Sequence, residues 1–203
     1  MTVSEQLDVP ADEQASAARL ANPRMGAVSH GIVRVVAVMA AVSDGTPCGV
    51  TISSLTPVSF EPPMMLVALQ QSSRMLGILA NGVGFGLSIL AADQQDIAQQ
   101  FARRLRPVGA DRFAGVGYRV GALTGAPLLR DAIGWLECRT VDIADTGDHA
   151  LVIGEVLDES RNSATSFDPL MHGPDGYRRL LRSRPNARHQ QPATETEVQG
   201  EQR

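Results

Sequence analysis

Residues 44–82 read DGTPCGVTISSLTPVSFEPPMMLVALQQSSRMLGILANG, and this stretch decides the fold. An Asp-Gly turn signal opens it, and two runs rich in strand-favouring residues follow at residues 49–55 and 64–69. A short helix is predicted over residues 74–80. Serines before it are good N-cap residues, and the Asn-Gly pair after it is typical of a helix end.

Hydroxyl side chains gather along this stretch. Because strand side chains alternate between two faces, Thr51 and Ser53 point away from the face that Val50 and Ile52 turn to a core. A serine pair and an arginine stand at the predicted helix start, where free N–H groups favour negative charge. From spacing alone, ordinary strand hydroxyls and an ordinary cap are the simpler interpretation, and a phosphate site is the alternative.

Composition narrows the class of protein. The chain has 203 residues, 43% hydrophobic and 20% charged residues and a net charge of −4. These values predict one globular domain and argue against a dedicated nucleic-acid binder. The sequence contains no lysine, which excludes a Schiff-base or P-loop lysine. Cys48 and Cys138 lack metal-ligand spacing and are interpreted as buried, reduced thiols.

The two ends of the chain differ from its middle. Residues 1–23 are polar and alanine-rich and are predicted to be flexible, and the unpatterned tail 184–203 is predicted to be disordered. One domain is therefore expected over residues 24–183. The acidic N-terminal stretch is unlike a signal peptide, and no apolar run approaches the roughly 20 residues of a membrane span. A cytoplasmic protein without membrane contact is expected.

Further strands and one longer helix are predicted outside the opening stretch. The apolar run 32–42 predicts a strand buried on both faces, as in a barrel or at a dimer seam. Arg34 within it either reaches the rim or pairs with a buried anion. A helix is predicted from a cap at Asp93 to about Arg106. Together with strands predicted at residues 84–90, 133–141 and 150–157, the pattern favours a mainly β fold, an antiparallel barrel with inserted helices.

Two glycine motifs of the sequence resemble known local motifs. The G-x-G-x-G run at residues 82–86 does not fit a dinucleotide fingerprint, because it opens a strand and not a helix. The Gly-Asp-His triplet at residues 147–149 is typical of a hairpin turn, and a lone histidine there is more often structural than functional.

Several of these features occur together in one known family. The run DG-x-P-x-G-x-T-x-SSL-x-x-VS-x-x-PP resembles the flavin reductase-like family of split β-barrel proteins, and so does Gly-Asp-His followed by an apolar strand. Pro169-Leu170 before Gly176-Tyr177-Arg178 adds to a likeness that spans about residues 24–181. The chain departs from the family pattern at residues 30–32, so His30 and Cys48 are expected to border the pocket.

The resemblance implies a split antiparallel β-barrel and a flavin site. It places Thr51, Ile52, Ser53, Ser54 and Leu55 along the flavin chain and ring edge. It places Ser72, Ser73, Arg74 and Arg104 at the phosphate, and Gly147, Asp148, His149 and Tyr177 at the nicotinamide or in the same cleft. His149 is the expected catalytic residue, since an imidazole can stack, hydrogen-bond or relay a proton near neutral pH. No metal is expected.

The function implied by the resemblance is NAD(P)H-dependent reduction of FMN or FAD by direct hydride transfer. Reduced flavin is then expected to leave for a separate monooxygenase, and the family usually forms homodimers. Two alternatives share the fold. In one, the flavin stays bound and the protein acts on an organic substrate itself; in the other, the protein binds flavin without catalysis. The sequence does not choose between FMN and FAD, or between NADH and NADPH.

Overall fold

The computed structural model of the chain describes residue 28 and residues 31–103 and 109–180. The predicted flexible segment 1–23 and the predicted disordered tail 184–203 lie outside the described residues. Within the described part, no helix has the length and apolar character needed to cross a membrane.

Strands make up most of the described chain. They are β1 (Arg34–Val35), β2 (Ala37–Ser43), β3 (Thr46–Ile52), β4 (Leu55–Phe60), β5 (Pro63–Gln70), β6 (Phe85–Ile89), β7 (Tyr118–Val120), β8 (Pro127–Leu129), β9 (Gly134–Thr146), β10 (His149–Arg161), β11 (Leu170–Gly173) and β12 (Gly176–Arg179). Between them lie helices α1 (Arg74–Leu79) and α2 (Gln95–Ala102) and a 3-10 helix (Gly109–Phe113). The predicted mainly β class with inserted helices is confirmed.

One large antiparallel sheet organises the molecule. Its seven strands follow the order β3-β2-β6-β9-β10-β5-β4, while β1-β11-β12 and β7-β8 form two small sheets. Strands β3 and β4 stand at the edges, so no ladder between the described strands closes the large sheet into a barrel. The sequence predicted about six strands and missed β7 and β8, which are only three residues each and lie in a glycine-rich connection.

Strand β2 lies between the two hydrophobic cores. Residues 36–41 are at most 1% exposed, and their side chains alternate between a cluster beneath α1 and a second cluster that contains α2 residues. The predicted burial on both faces is confirmed. Because this burial occurs within one chain, residues 36–41 offer no surface to a second copy. The prediction that this run forms a dimer seam is therefore wrong for residues 36–41.

Helix α2 is shorter than predicted. Its N-cap residue is Gln94, whose side-chain oxygen accepts a hydrogen bond from the Ala91 N–H at 2.9 Å, so the predicted cap at Asp93 is wrong. The helix ends at Ala102, because the next residue, Arg103, has an extended backbone with ψ of 134°. The predicted continuation to Arg106 falls on residues 104–108, outside the described residues.

A glycine brings α2 and the 3-10 helix directly onto β3. A Cβ at Gly49 would lie 2.7 Å from Cε1 of Phe101 and 3.1 Å from Cζ of Phe113, closer than side-chain carbons approach one another. The two rings meet edge to face with centroids 5.0 Å apart. Only a residue without a side chain allows this packing, which fixes both helical segments against the middle of β3.

A buried carboxylate holds the β7–β8 loop. Glu137 of β9 is 3% exposed and accepts hydrogen bonds from the N–H groups of Ala122, Leu123 and Thr124 and from the Thr124 hydroxyl, at 2.8 to 3.0 Å. Burial alone raises the pKa of this carboxyl, but the four hydrogen bonds together hold its pKa below the ordinary value.

Replacing Glu137 with Gln is expected to lower the free energy of unfolding by about 2 kcal/mol near neutral pH, because one amide oxygen replaces two charged acceptors. The lowered pKa means that the Glu137 contribution is complete above the unfolded-state value of about 4.5 and is lost as pH falls through the folded-state pKa. Urea unfolding of both proteins at several pH values between neutral and about 3 measures the difference.

The matched control is Glu159→Gln, since Glu159 is exposed on the same hairpin. This variant is expected to change stability by less than about 0.5 kcal/mol. A Glu137→Gln deficit that stays constant down to about pH 3 would contradict the assigned titration.

Candidate functional site

A cavity of about 620 Å³ opens at one end of the large sheet. Its walls come from β3 and the start of the β3–β4 link, the end of β5, the start of α1, the end of α2 and the 3-10 helix. The close packing at Gly49 brings the last two elements against β3 and therefore forms one wall of the cavity.

Eight of the predicted site residues line this cavity: Thr51, Ile52, Ser53, Ser54, Ser72, Ser73, Arg74 and His149. Four predicted residues do not. Leu55 packs against the hydrophobic core, Gly147 and Asp148 form the exposed turn behind His149, and Tyr177 packs against the second core cluster and the His172 ring. Arg104 and His30 lie outside the described residues.

Two of the hydroxyl groups along this stretch already donate hydrogen bonds to backbone carbonyls. Thr51 Oγ1 donates to the Ala98 carbonyl at 2.6 Å, and Ser54 Oγ donates to the Ala68 carbonyl at 2.7 Å. Each can therefore offer only lone pairs to a ligand. Ser53 has no hydrogen-bond partner among the described residues, so its hydroxyl can donate as well as accept.

The serine pair before α1 is also available to a ligand. Ser73 occupies the N-cap position with an extended backbone, but its side chain makes no capping hydrogen bond. Ser72 is exposed, and Arg74 follows as the first helical residue. The sequence correctly predicted this helix and its boundary, whereas the side-chain cap it predicted is wrong.

Four arginines line the cavity, namely Arg34, Arg74, Arg103 and Arg112, and no described aspartate or glutamate lines it. The link of residues 104–108, which connects α2 to the 3-10 helix, also contains no carboxylate. Of the four, only Arg74 was a predicted site residue. Arg34 is exposed at the cavity wall. This position agrees with the interpretation that its side chain reaches the rim, and not with the interpretation that it pairs with a buried anion.

Cys48 borders the cavity, as the sequence predicts. Its side chain is half-buried, whereas the sequence predicted a buried thiol. Burial raises the pKa of its thiol, while the Arg112 and Arg74 guanidiniums lower that pKa. Both arginines line the same cavity as this thiol. Cys138 is fully buried, and burial raises the pKa of its thiol to about 12.

His149 stands at the cavity edge where β10 begins. Its Nδ1 lies 2.7 Å from the Asp148 carboxylate, so the turn residue orients the imidazole. The turn is tied to β5, because the Gln71 N–H donates to the Asp148 carbonyl at 3.0 Å and the Gln71 amide donates to Asp145 at 2.9 Å. The hairpin predicted from the Gly-Asp-His triplet therefore also sets the position of the histidine.

A second cleft, of about 640 Å³, has the opposite charge. Asp93 and Asp96 from the start of α2 line it together with Asp131 and Asp168, and Arg179 lies 3.8 Å from the Asp168 carboxylate. Carboxylates repel phosphate, so the arginine-lined cavity is the better candidate for a nucleotide site.

Comparisons with known proteins identify the family of the chain. Residues 28–181 match the family model described as the flavin reductase like domain. A probable flavin reductase of Rhizobium meliloti (strain 1021) is 39% identical over 131 residues, which are 64% of this chain and 40% of that relative. The chain therefore spans less than half the length of this curated relative.

Two solved structures share the fold. BorF, the flavin reductase component of a bacterial two-component tryptophan halogenase, has a TM-score of 0.70 and 36% identity, covering 75% of this chain and 94% of BorF. The NADH:FAD oxidoreductase SgcE6 of Streptomyces globisporus C-1027, in complex with NAD and FAD fragments, has a TM-score of 0.71 and 27% identity, covering 88% and 98%. Since the family model alone accounts for residues 28–181 of 203, the chain belongs to the flavin reductase-like domain family.

Proposed function

We propose that this chain is an NAD(P)H:flavin oxidoreductase that reduces FMN or FAD. The observation that carries the proposal is the cavity beside β3, where hydroxyls and four arginines converge without a described carboxylate. A phosphorylated, hydroxyl-rich ligand complements such a lining, because guanidiniums bind phosphate and hydroxyl oxygens accept from the ligand's own hydroxyls. The named relatives that reduce flavin with NADH support the same reading.

The donor and acceptor pattern supports an assignment of ligand parts to residues. Thr51 and Ser54 can only accept, so they suit the hydroxyls of a ribityl chain or the N–H of a flavin ring. Ser53, Ser72 and Ser73 can donate, so they suit oxygen atoms of the ring or the phosphate. When bound, the flavin supplies the redox chemistry by accepting a hydride from a reduced nicotinamide, and the protein supplies position and electrostatics.

His149 is proposed as the residue that contacts the nicotinamide. Its ring is held through Nδ1 by Asp148, which leaves the rest of the imidazole to orient a second ligand at the cavity edge. Positioning of this kind requires no protein nucleophile.

We also propose that two copies of the chain form a homodimer. One face of β5 and β10 is buried in the core, while the other face carries the half-buried apolar side chains Met64, Leu66, Leu151 and Ile153. Leu66 pairs with Ile153, so these residues form a contiguous patch beside Ala68 and His149, which line the cavity. An apolar patch on a large antiparallel sheet is typical of a subunit interface.

Reduced flavin is proposed to leave the cavity and serve a separate monooxygenase in the cytoplasm. The relation to BorF, which is the reductase component of a two-component enzyme, supports a division of labour of this kind. Both described cysteines are free thiols, which agrees with a reducing compartment.

Purified protein is expected to oxidise NADH or NADPH only when FMN or FAD is added, with a rate that saturates in flavin. Steady-state assays of both nicotinamides against both flavins, followed by nicotinamide absorbance, test this. Absence of turnover in all four combinations would reject the proposed activity. A flavin that survives dialysis, with slow turnover of added flavin, would instead support a protein that retains its cofactor.

Replacing His149 with Ala is expected to lower kcat/KM for the nicotinamide about 10- to 100-fold, because the ring that orients the nicotinamide is lost. The KM for flavin should change less than about threefold. Asp158→Asn, an exposed change on the same strand, is the control and should leave both values unaltered. An equal loss for flavin and nicotinamide would argue against the assigned contact.

Replacing Ile153 with Arg is expected to convert a dimer to a monomer, since a charge would be buried without a partner at the proposed interface. Sedimentation velocity at micromolar concentration measures this. Leu123→Arg is the control, because Leu123 is 59% exposed on the β7–β8 loop, away from the patch. A wild-type protein that sediments as a monomer would remove the proposed interface.

A further inference from the structure

Arg112 is held in place by α2 and not by an acidic partner. Its Nη2 donates to the Phe101 carbonyl at 3.0 Å, and its guanidinium carbon lies 6.0 Å from the centroid of the Phe101 ring. Phe101 in turn is fixed against Gly49. The guanidinium therefore has a defined position in the cavity wall before any ligand binds.

One donor of the Arg112 guanidinium lacks a partner in the described part of the chain. Its Nε is buried and has no hydrogen-bond partner among the described residues. No described carboxylate lines the cavity, and residues 104–108 contain none. A half-buried cation without a described counter-ion is costly, so Arg112 marks a position where an anionic ligand would restore the charge balance.

A second cation, Arg74, lines the same cavity. Burial lowers the pKa of Arg112, and the Arg74 guanidinium lowers that pKa further. Both arginines also act on the thiol of Cys48. Arg74 and Arg112 come from separate helical elements, the start of α1 and the 3-10 helix, and their like charges repel each other in one cavity.

We propose that Arg112 and Arg74 together clamp the phosphate of the flavin, with Arg112 contacting the phosphate through the terminal N–H groups that the described residues leave unused. This inference rests on the proposed flavin site and adds a residue that neither the sequence nor the family resemblance assigned. A phosphate monoester carries a charge of about −1.5 to −2 near neutral pH, which matches two guanidiniums. In FAD the pyrophosphate would occupy the same clamp.

A purely structural role for Arg112 explains less. Anchoring to the Phe101 carbonyl accounts for Nη2, but it does not explain why two cations, Arg112 and Arg74, line one cavity without a described counter-ion. The two roles differ in one measurable respect: a structural anchor affects all flavins alike, whereas a phosphate clamp affects only flavins that carry phosphate.

The first experiment compares FMN, FAD and riboflavin as substrates of the full chain. Arg112→Gln is expected to raise the KM for FMN and FAD about 10- to 100-fold and to change that for riboflavin less than twofold. Arg112→Lys should recover part of the loss, because it restores the charge without the planar fork. Arg139→Gln is the control, since Arg139 is exposed on β9 and ion-paired with Glu155.

The second experiment needs no turnover. Cys48 is half-buried and borders the clamp, whereas Cys138 is fully buried, so a thiol reagent should modify Cys48 first. FMN and inorganic pyrophosphate are expected to slow this modification in the wild-type chain but not in Arg112→Gln. Thermal melting of each variant checks that the fold is retained.

Equal losses for FMN and riboflavin, or equal protection of Cys48 in the wild-type and Arg112→Gln chains, would overturn the clamp. If no flavin supports nicotinamide oxidation but pyrophosphate still protects Cys48 through Arg112, the proposed activity fails while the clamp stands. If turnover occurs and Arg112→Gln prefers FMN over riboflavin to the same degree as the wild-type chain, the activity stands and the clamp fails.

Discussion

The contact between the Gly49 backbone and the Phe101 ring is the constraint on which the cavity depends. It sets the distance between β3 and the end of α2, and through Phe101 it also places Arg112. The same approach brings the Ala98 carbonyl to the Thr51 hydroxyl at 2.6 Å. A larger side chain at residue 49 would separate these elements and disturb the hydroxyl, the guanidinium and the wall between them together.

The local elements around the site could be predicted from the sequence because their signals are short-range. Alternation placed Thr51 on the strand face opposite the core residue Ile52, the serine pair marked the start of α1, and the Gly-Asp-His triplet marked the β9–β10 turn. The strand ends at Ile52, so the prediction that Ser53 shares its face is wrong. The apolar run around β2 also predicted burial on both faces correctly. Assigning that burial to a dimer seam failed, since a sequence run does not tell whether the covering residues belong to the same chain.

The features that the sequence missed depend on long-range contacts. Arg112 lies in a glycine-rich connection without periodicity, and it reaches the cavity only because a carbonyl eleven residues earlier anchors it. Glu137 lies within the predicted strand 133–141, and nothing in the sequence indicates that the β7–β8 loop folds around its carboxylate. Tyr177 was expected in the cleft, but the three-stranded sheet turns it toward His172 and the core. Neither propensity nor spacing carries information of this kind.

The two clefts at opposite ends of α2 give the molecule a charge asymmetry that its net charge of −4 conceals. Aspartates surround the helix start and arginines surround the helix end, an arrangement that also complements the helix dipole. An anionic nucleotide approaching this acidic protein is repelled by one end and guided to the other. Electrostatic steering of this type makes the association rate fall as ionic strength rises, although protein and nucleotide have the same overall sign.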